Sequence, residues 1–313
     1  MTQTTSPNTD ISEQDQVDPA ALTAQLIDLL TVEQIENDRY RGRPQVDGIG
    51  RVFGGQVIAQ GLQAAQASIT DDKEAHSLHA YFLRGGEEGP PITYDIARDF
   101  DGRSFANRRA VASQDGTPIL NLTASFQKPE EGLAHENSVF PQVPDPGELR
   151  PDQDLRREVL ADKIDQMTEE QRRFMLRPRP IEMRPVDGLH WMNKEPREPK
   201  SQTWFKTVGA LPDDPALHRA VIAYASDYTL LGTAAIAHGK SWMRGDLIGA
   251  SLDHAIWFHA PARADEWLLY DTDSPWSGSG RGYNRGRIFT EGGTLVASVA
   301  QEGMMRERHK PAK

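Results

Sequence analysis

The chain has 313 residues, room for two domains at roughly 150 residues each, and no cysteine. Disulfides, thiolate metal sites and a catalytic thiol are therefore excluded, and a reducing cytoplasm is the compartment that fits. With 35 basic against 46 acidic residues the net charge is −11, which argues against nucleic acid as a general partner, and no apolar run approaches the roughly 20 residues needed to span a bilayer.

Residues 1–17 hold almost nothing apolar and no Lys or Arg, which predicts a disordered tail and neither a secretory nor a mitochondrial leader. Order is expected from Asp18-Pro19, a helix start followed by the apolar stripe Leu22, Leu26, Leu29 and Leu30. Gly54-Gly55 opens a second helix with Ile58, Leu62 and Ala65 on one face. Strands are expected at 76–84, 92–100, 104–113 and 118–127, the last two joined by a turn containing Asp115-Gly116. Residues 18–128 thus form an N-terminal domain. Residues 129–200 are dense in Pro and charge and read as a connection carrying one helix near Leu155 to Met175.

The stretch 201–307 then repeats the first order of elements as a C-terminal domain, with 308–313 left as a tail. Asp214-Pro215 opens a helix on which Leu217, Val221, Tyr224, Tyr228, Leu231 and Ala235 recur at helical spacing, and strands follow at 251–259, 266–274, 282–290 and 294–306. Ser77-Leu78-His79-Ala80 resembles Ser251-Leu252-Asp253-His254-Ala255, and Gly116-Thr117 answers Gly293-Thr294. Each half is an α+β unit in which a long helix is best buried by a curved antiparallel sheet wrapped around it.

Seven motifs in order narrow this pattern. They are Arg51-Val52-Phe53-Gly54-Gly55-Gln56, His76 to Arg84, Tyr224-Ala225-Ser226-Asp227, Leu252-Asp253-His254 with Trp257-Phe258-His259, Glu266-Trp267-Leu268-Leu269-Tyr270, Arg281-Gly282 and Gln301-Glu302-Gly303. Together, from about Leu30 to Arg306, they resemble the acyl-CoA thioesterase II family. The resemblance implies a double hot-dog fold and hydrolysis of acyl-CoA without metal or organic cofactor. It also implies a catalytic set of Asp, Thr or Ser, and Gln, which falls on Asp227, Ser251 and Gln301.

The residue chemistry agrees in part. At 100° per residue Asp227 lies roughly 80° around its helix from Leu217, at the border of the apolar stripe, where desolvation raises a carboxylate toward the range of a general base. A solvated surface carboxylate is the plainer alternative. Ser251 opens a strand, where a hydroxyl also serves as an ordinary backbone partner. Gln301 is in phase with Leu295, Ala297 and Val299, so its amide points with that apolar set and needs a hydrogen-bond partner.

Several lookalikes fail. Alternation sends Asp253 and His254 to opposite faces, so Ser251-Leu252-Asp253-His254 is no serine triad, and no Gly-x-Ser-x-Gly elbow occurs. His254 and His79 stand at matching places in the two repeats, which favours a shared structural hydrogen bond. Gly48-Ile49-Gly50 with Gly54 has the wrong spacing for a dinucleotide loop. No His or carboxylate cluster has metal-ligand spacing. The phosphates of CoA need a local basic island, for which Arg281 and Arg285 are the candidates, with Arg287 beside them and Arg103, Arg108 and Arg109 as their counterparts. A hot-dog dehydratase or hydratase using His254, and a non-catalytic acyl-CoA binding protein, are the alternatives to the hydrolase. A cytoplasmic homo-oligomer is expected.

Overall fold

The computed structural model describes residues 18–45 and 50–308. The tail at 1–17, most of the one at 308–313 and the Gly48-Ile49 part of the dinucleotide lookalike lie outside the described residues.

Asp18 caps α1 (Pro19–Leu30) as expected, its side chain accepting from the Ala20 amide. Two short strands follow that the sequence pattern did not announce, β1 (Val32–Glu36) and β2 (Arg39–Gly42). Then come α2 (Gly54–Ala67), β3 (Glu74–Phe82), β4 (Ile92–Asp101), β5 (Phe105–Gln114) and β6 (Thr117–Gln127). The connection holds α3 (Asp152–Leu160), α4 (Glu169–Leu176) and β7 (Ile181–Pro185). The single helix expected near 155–175 is broken because Thr168 starts its own capping box with Gln171. The second half contains β8 (Lys200–Thr207), α5 (Pro215–Ser226), α6 (Thr233–Ile236), β9 (Leu247–Ser251), β10 (Asp253–Phe258), β11 (Leu268–Gly278), β12 (Arg281–Thr290) and β13 (Leu295–Glu307).

All strands join one antiparallel sheet in the order β1-β2-β4-β5-β6-β3-β10-β13-β12-β11-β8-β7, with β9 also on β13. The seam between the halves is β3 on β10, where Leu78 faces Ile256 and Ala80 faces His254. The sheet curves around α2 and α5, which lie against each other and are buried over most of their surface. Val57, Ile58, Leu62, Val221, Ile222 and Tyr224 are each at most 3% exposed, and burying an aliphatic side chain of this size contributes roughly 1.5–3 kcal/mol.

Two expectations change in ways that shape the site. The helix from Asp214 does not continue to Ala235: the Ser226 hydroxyl turns back to the Ala223 carbonyl at 2.9 Å, and Asp227 becomes the C-cap. The strand expected at 251–259 is broken at Leu252, so that β9 pairs with the far end of β13 through Ser251 and Gly303 while β10 pairs with its middle. Asp227 and Ser251 thus both stand at element ends, where a side chain is free to turn inward.

Candidate active site

Asp227 sits where α5 stops, and the start of α2 comes up against it. This approach depends on two glycines. A Cβ on Gly54 would lie 2.7 Å from Asp227 Oδ2 and 2.9 Å from the Phe82 ring, and one on Gly55 would lie 2.5 Å from the Tyr224 carbonyl oxygen. Phe53 supplies no side-chain cap to α2; the Gln56 and Val57 amides turn to the Phe53 carbonyl, and the Gly55 N–H faces the Asp227 carboxylate.

Gln301, buried on β13, completes the group. Its Nε2 lies 2.7 Å from Asp227 Oδ1, 3.0 Å from His254 Nδ1 and 3.2 Å from Ser251 Oγ. The structure therefore brings Asp227, Ser251 and Gln301 together, and adds His254 to them. The Asp227 side chain is 6% exposed; burial pushes its pKa up to about 6, against the lowering pull of the Gln301 and Gly55 donors. The carboxylate is no solvated surface group. His254 is held neutral by the same cause, its pKa pushed down to about 3 by burial.

Asp227 and Ser251 open onto a cavity of about 430 Å³ whose other walls include Phe53, Tyr224, Tyr228, Leu231 and Trp242. The connection closes it with Arg156, Phe174, Arg177, Arg179 and Trp191. Arg156 and Arg179 share one counter-charge, Asp152, at 2.8 and 3.9 Å, so this wall carries positive charge into an otherwise largely apolar space.

Residues 43–127 match the acyl-CoA thioesterase N-terminal domain family and residues 157–305 the acyl-CoA thioesterase C-terminal domain family. Human acyl-coenzyme A thioesterase 8 is 38% identical over 286 residues, which covers 89% of this chain and 88% of the relative. The chain belongs to the acyl-CoA thioesterase family. A crystal structure of an acyl-CoA thioesterase II from Mycobacterium marinum superposes with a TM-score of 0.72 at 37% identity, covering 92% of this chain and 100% of that one. A hot-dog protein from Alicyclobacillus acidocaldarius superposes at 0.73 with 17% identity, over 91% and 99% of the two chains, which shows the double hot-dog architecture as fold alone.

The two halves of this thioesterase-family chain are not chemically equal. Counting from the matching turns, Ala124 on β6 stands where Gln301 stands on β13, and its β3 neighbour Leu78 stands where His254 does. Ile69 follows Ser68 as Asp227 follows Ser226, and Ala75, opposite Phe126, takes the place of Ser251 opposite Gly303. Among the described residues the polar set thus exists once. His79, expected to match His254, instead faces outward and meets the Trp257 ring edge-on at 4.9 Å, because alternation along β3 turns it to the other face.

Arg281 and Arg285 are not brought to the cavity. Arg281 pairs with Glu302 at 2.9 Å and Arg285 with Asp273 at 2.8 Å on half-exposed strand faces. In the first half Arg108 is buried on Ser68 and Asp101, and Arg109 pairs with Asp99. The sequence pattern missed the arginines of the connection because they sit in a Pro-rich stretch without periodicity. Gly54→Ala tests the approach of α2: the added methyl is expected to displace Asp227 or Phe82, costing about 1–3 kcal/mol in urea unfolding. Turnover should fall by about 10²-fold, the scale of an ångström-level misplacement. A variant with unchanged kcat would show that the close contact does not position the carboxylate.

Proposed function

We propose that the chain is an acyl-CoA hydrolase in which Asp227, Ser251 and Gln301 activate one water against the thioester carbonyl. Asp227 takes a proton from the water as its oxygen bonds to the carbonyl carbon, and Ser251 and Gln301 orient it. The developing oxyanion is met by backbone N–H donors. Collapse of the tetrahedral adduct breaks the C–S bond, and the departing thiolate takes the proton back from Asp227, leaving a fatty acid and CoA. The observation that carries this reading is the buried carboxylate, titrating near pH 6, at a cavity wall with an amide and a hydroxyl at hand.

The cavity's apolar walls suit the acyl chain, and Arg156 and Arg179 supply positive charge for phosphate, a better-placed source than Arg281 and Arg285. A hydratase would need His254 to exchange protons with substrate. Both of its ring nitrogens are engaged inside the protein and it lines no part of the cavity. The proposal includes a cytoplasmic homo-oligomer, the setting that a cysteine-free chain suits. The test is thiol release from acyl-CoA substrates of graded chain length, run beside hydration of an enoyl-CoA. Thiol release without hydration is expected, and hydration without thiol release would overturn the assignment.

A further inference from the structure

The residue that decides how Gln301 presents its amide lies behind it, away from substrate. His254 is fully buried on β10, and its two nitrogens face different partners. Nδ1 is 3.0 Å from Gln301 Nε2, and Nε2 is 2.9 Å from Ser226 Oγ. The Ser226 hydroxyl gives its one hydrogen to the Ala223 carbonyl at 2.9 Å, so toward the ring it can only accept. The ring's Nε2 must then carry the hydrogen, and a neutral imidazole with Nε2–H presents a lone pair at Nδ1. Only the nitrogen end of the Gln301 amide can face that lone pair.

We propose that Ser226 and His254 form a positioning pair that locks the Gln301 amide with its nitrogen toward Asp227. The inference rests on the hydrolase reading above. The contacts of the amide support the lock. The amide nitrogen has two hydrogens and three acceptors within reach, and the shorter contacts go to Asp227 and His254, at 2.7 and 3.0 Å. Ser251 Oγ, at 3.2 Å, is the most distant of the three acceptors. The other end of the amide, Oε1, is buried with no hydrogen-bond partner among the described residues. An orphaned acceptor of that kind is costly, so the orientation is imposed by the neighbours and not by the amide's own best pairing. Rotating the amide would set Oε1 against both the Nδ1 lone pair and the carboxylate.

The first half supplies the contrast. Ser68 also turns back to a carbonyl three residues earlier, that of Ala65, at 2.7 Å. Its free lone pair accepts from Arg108, in a half where Ile69, Leu78 and Ala124 leave no amide to orient. The serine is a helix-end device in both halves and is coupled to a histidine only where the carboxylate and amide occur.

Losing the lock has a pH signature. Beside His254, the phenols near Asp227 are those of Tyr224 on α5 and of Tyr228 just past its end, which line the same cavity, and of Tyr270 on β11, which donates to the Ser226 carbonyl at 3.1 Å; Arg51, Glu88, Asp152, Arg156, Arg177, Arg179 and His190 also line that cavity. The donors to the carboxylate are Gln301 and the Gly55 N–H. Without the Gln301 donor the desolvated carboxylate holds its proton more tightly, so the acidic limb of kcat/KM moves to higher pH.

The experiment compares His254→Leu, His254→Asn, Ser226→Ala and Gln301→Ala, each in the full chain, by pH profiles of acyl-CoA hydrolysis. His254→Leu is expected to lower kcat by about 10–10²-fold with KM little changed, and to raise the acidic limb by about one pH unit. His254→Asn places a carbonyl oxygen where Nδ1 was and should keep the limb near its wild-type position. Ser226→Ala frees the tautomer and should raise the limb by a smaller amount, and it carries the test should the leucine variant not fold. A folded His254→Leu with wild-type kcat and limb overturns the lock, as does equal damage in the leucine and asparagine variants with the limb unmoved, the mark of packing alone. Failure of the underlying reading looks different: there Gln301→Ala itself retains wild-type turnover.

Discussion

Replacing Asp227 by Asn is expected to lower kcat for acyl-CoA hydrolysis by at least about 10²-fold, the usual scale of general-base catalysis, and at the same time to make the protein more stable. The second effect follows from the direction of the pKa shift. The folded carboxyl titrates near 6 against 3.8 for an ordinary one, so between those values the folded chain holds a proton that the unfolded chain has released. Stability is therefore lost as pH rises through this window, and above it the buried charge costs on the order of 3 kcal/mol, at 1.36 kcal/mol per pKa unit. The neutral amide removes that cost. In urea unfolding at pH 7.5 the variant should have the higher midpoint, with the two proteins converging near pH 4. A variant as active as wild type, or less stable at pH 7.5, contradicts the assignment of Asp227 as a buried base.

The second large effect is expected at Gln301 and Ser251. Gln301→Ala removes the donor 2.7 Å from the base and should reduce kcat by about 10²-fold; Ser251→Ala should cost less, because its hydroxyl lies at 3.2 Å from the same amide. Combined with Asp227→Asn, neither loss should add in full. Groups that act on one water share one effect, so the double mutants should fall short of additivity by more than about 1 kcal/mol. Ser251→Thr keeps the hydroxyl and should retain activity. Full additivity would assign the three residues to separate steps.

The candidate set Asp227, Ser251 and Gln301 was legible through the resemblance of its motifs to the acyl-CoA thioesterase II family, whereas the residue pattern alone left a surface carboxylate and ordinary backbone partners open. The means by which they meet was less so. Helical spacing carries on past Ser226, and nothing in it shows that a hydroxyl will turn back on Ala223 and end α5 one residue before the carboxylate. Strand alternation runs on through Leu252, whose N–H nonetheless bonds Glu302 while its carbonyl accepts from Phe82, splitting β9 from β10. The equivalence drawn between His79 and His254 failed through a small error of register, which on a strand reverses the face. Pro-rich stretches such as 178–200 hide β7 and the start of β8, because β7 pairs with β8 and β8 in turn pairs with β11, a neighbour distant in sequence.

The seam between β3 and β10 has a consequence for how the chain reaches its working form. Gly54 and Gly55 belong to the first half and Asp227, Ser251 and Gln301 to the second, and even within the second half the carboxylate and the amide are 74 residues apart. Contacts this remote in sequence carry a heavy loop-closure cost and form late. Each half can gather its helix and meander from nearby residues, but the carboxylate meets the start of α2 only after both have docked. Hydrolytic competence thus requires both halves to be in place. A newly made chain that has emerged only as far as the connection therefore carries the glycines that receive the base but nothing for them to receive.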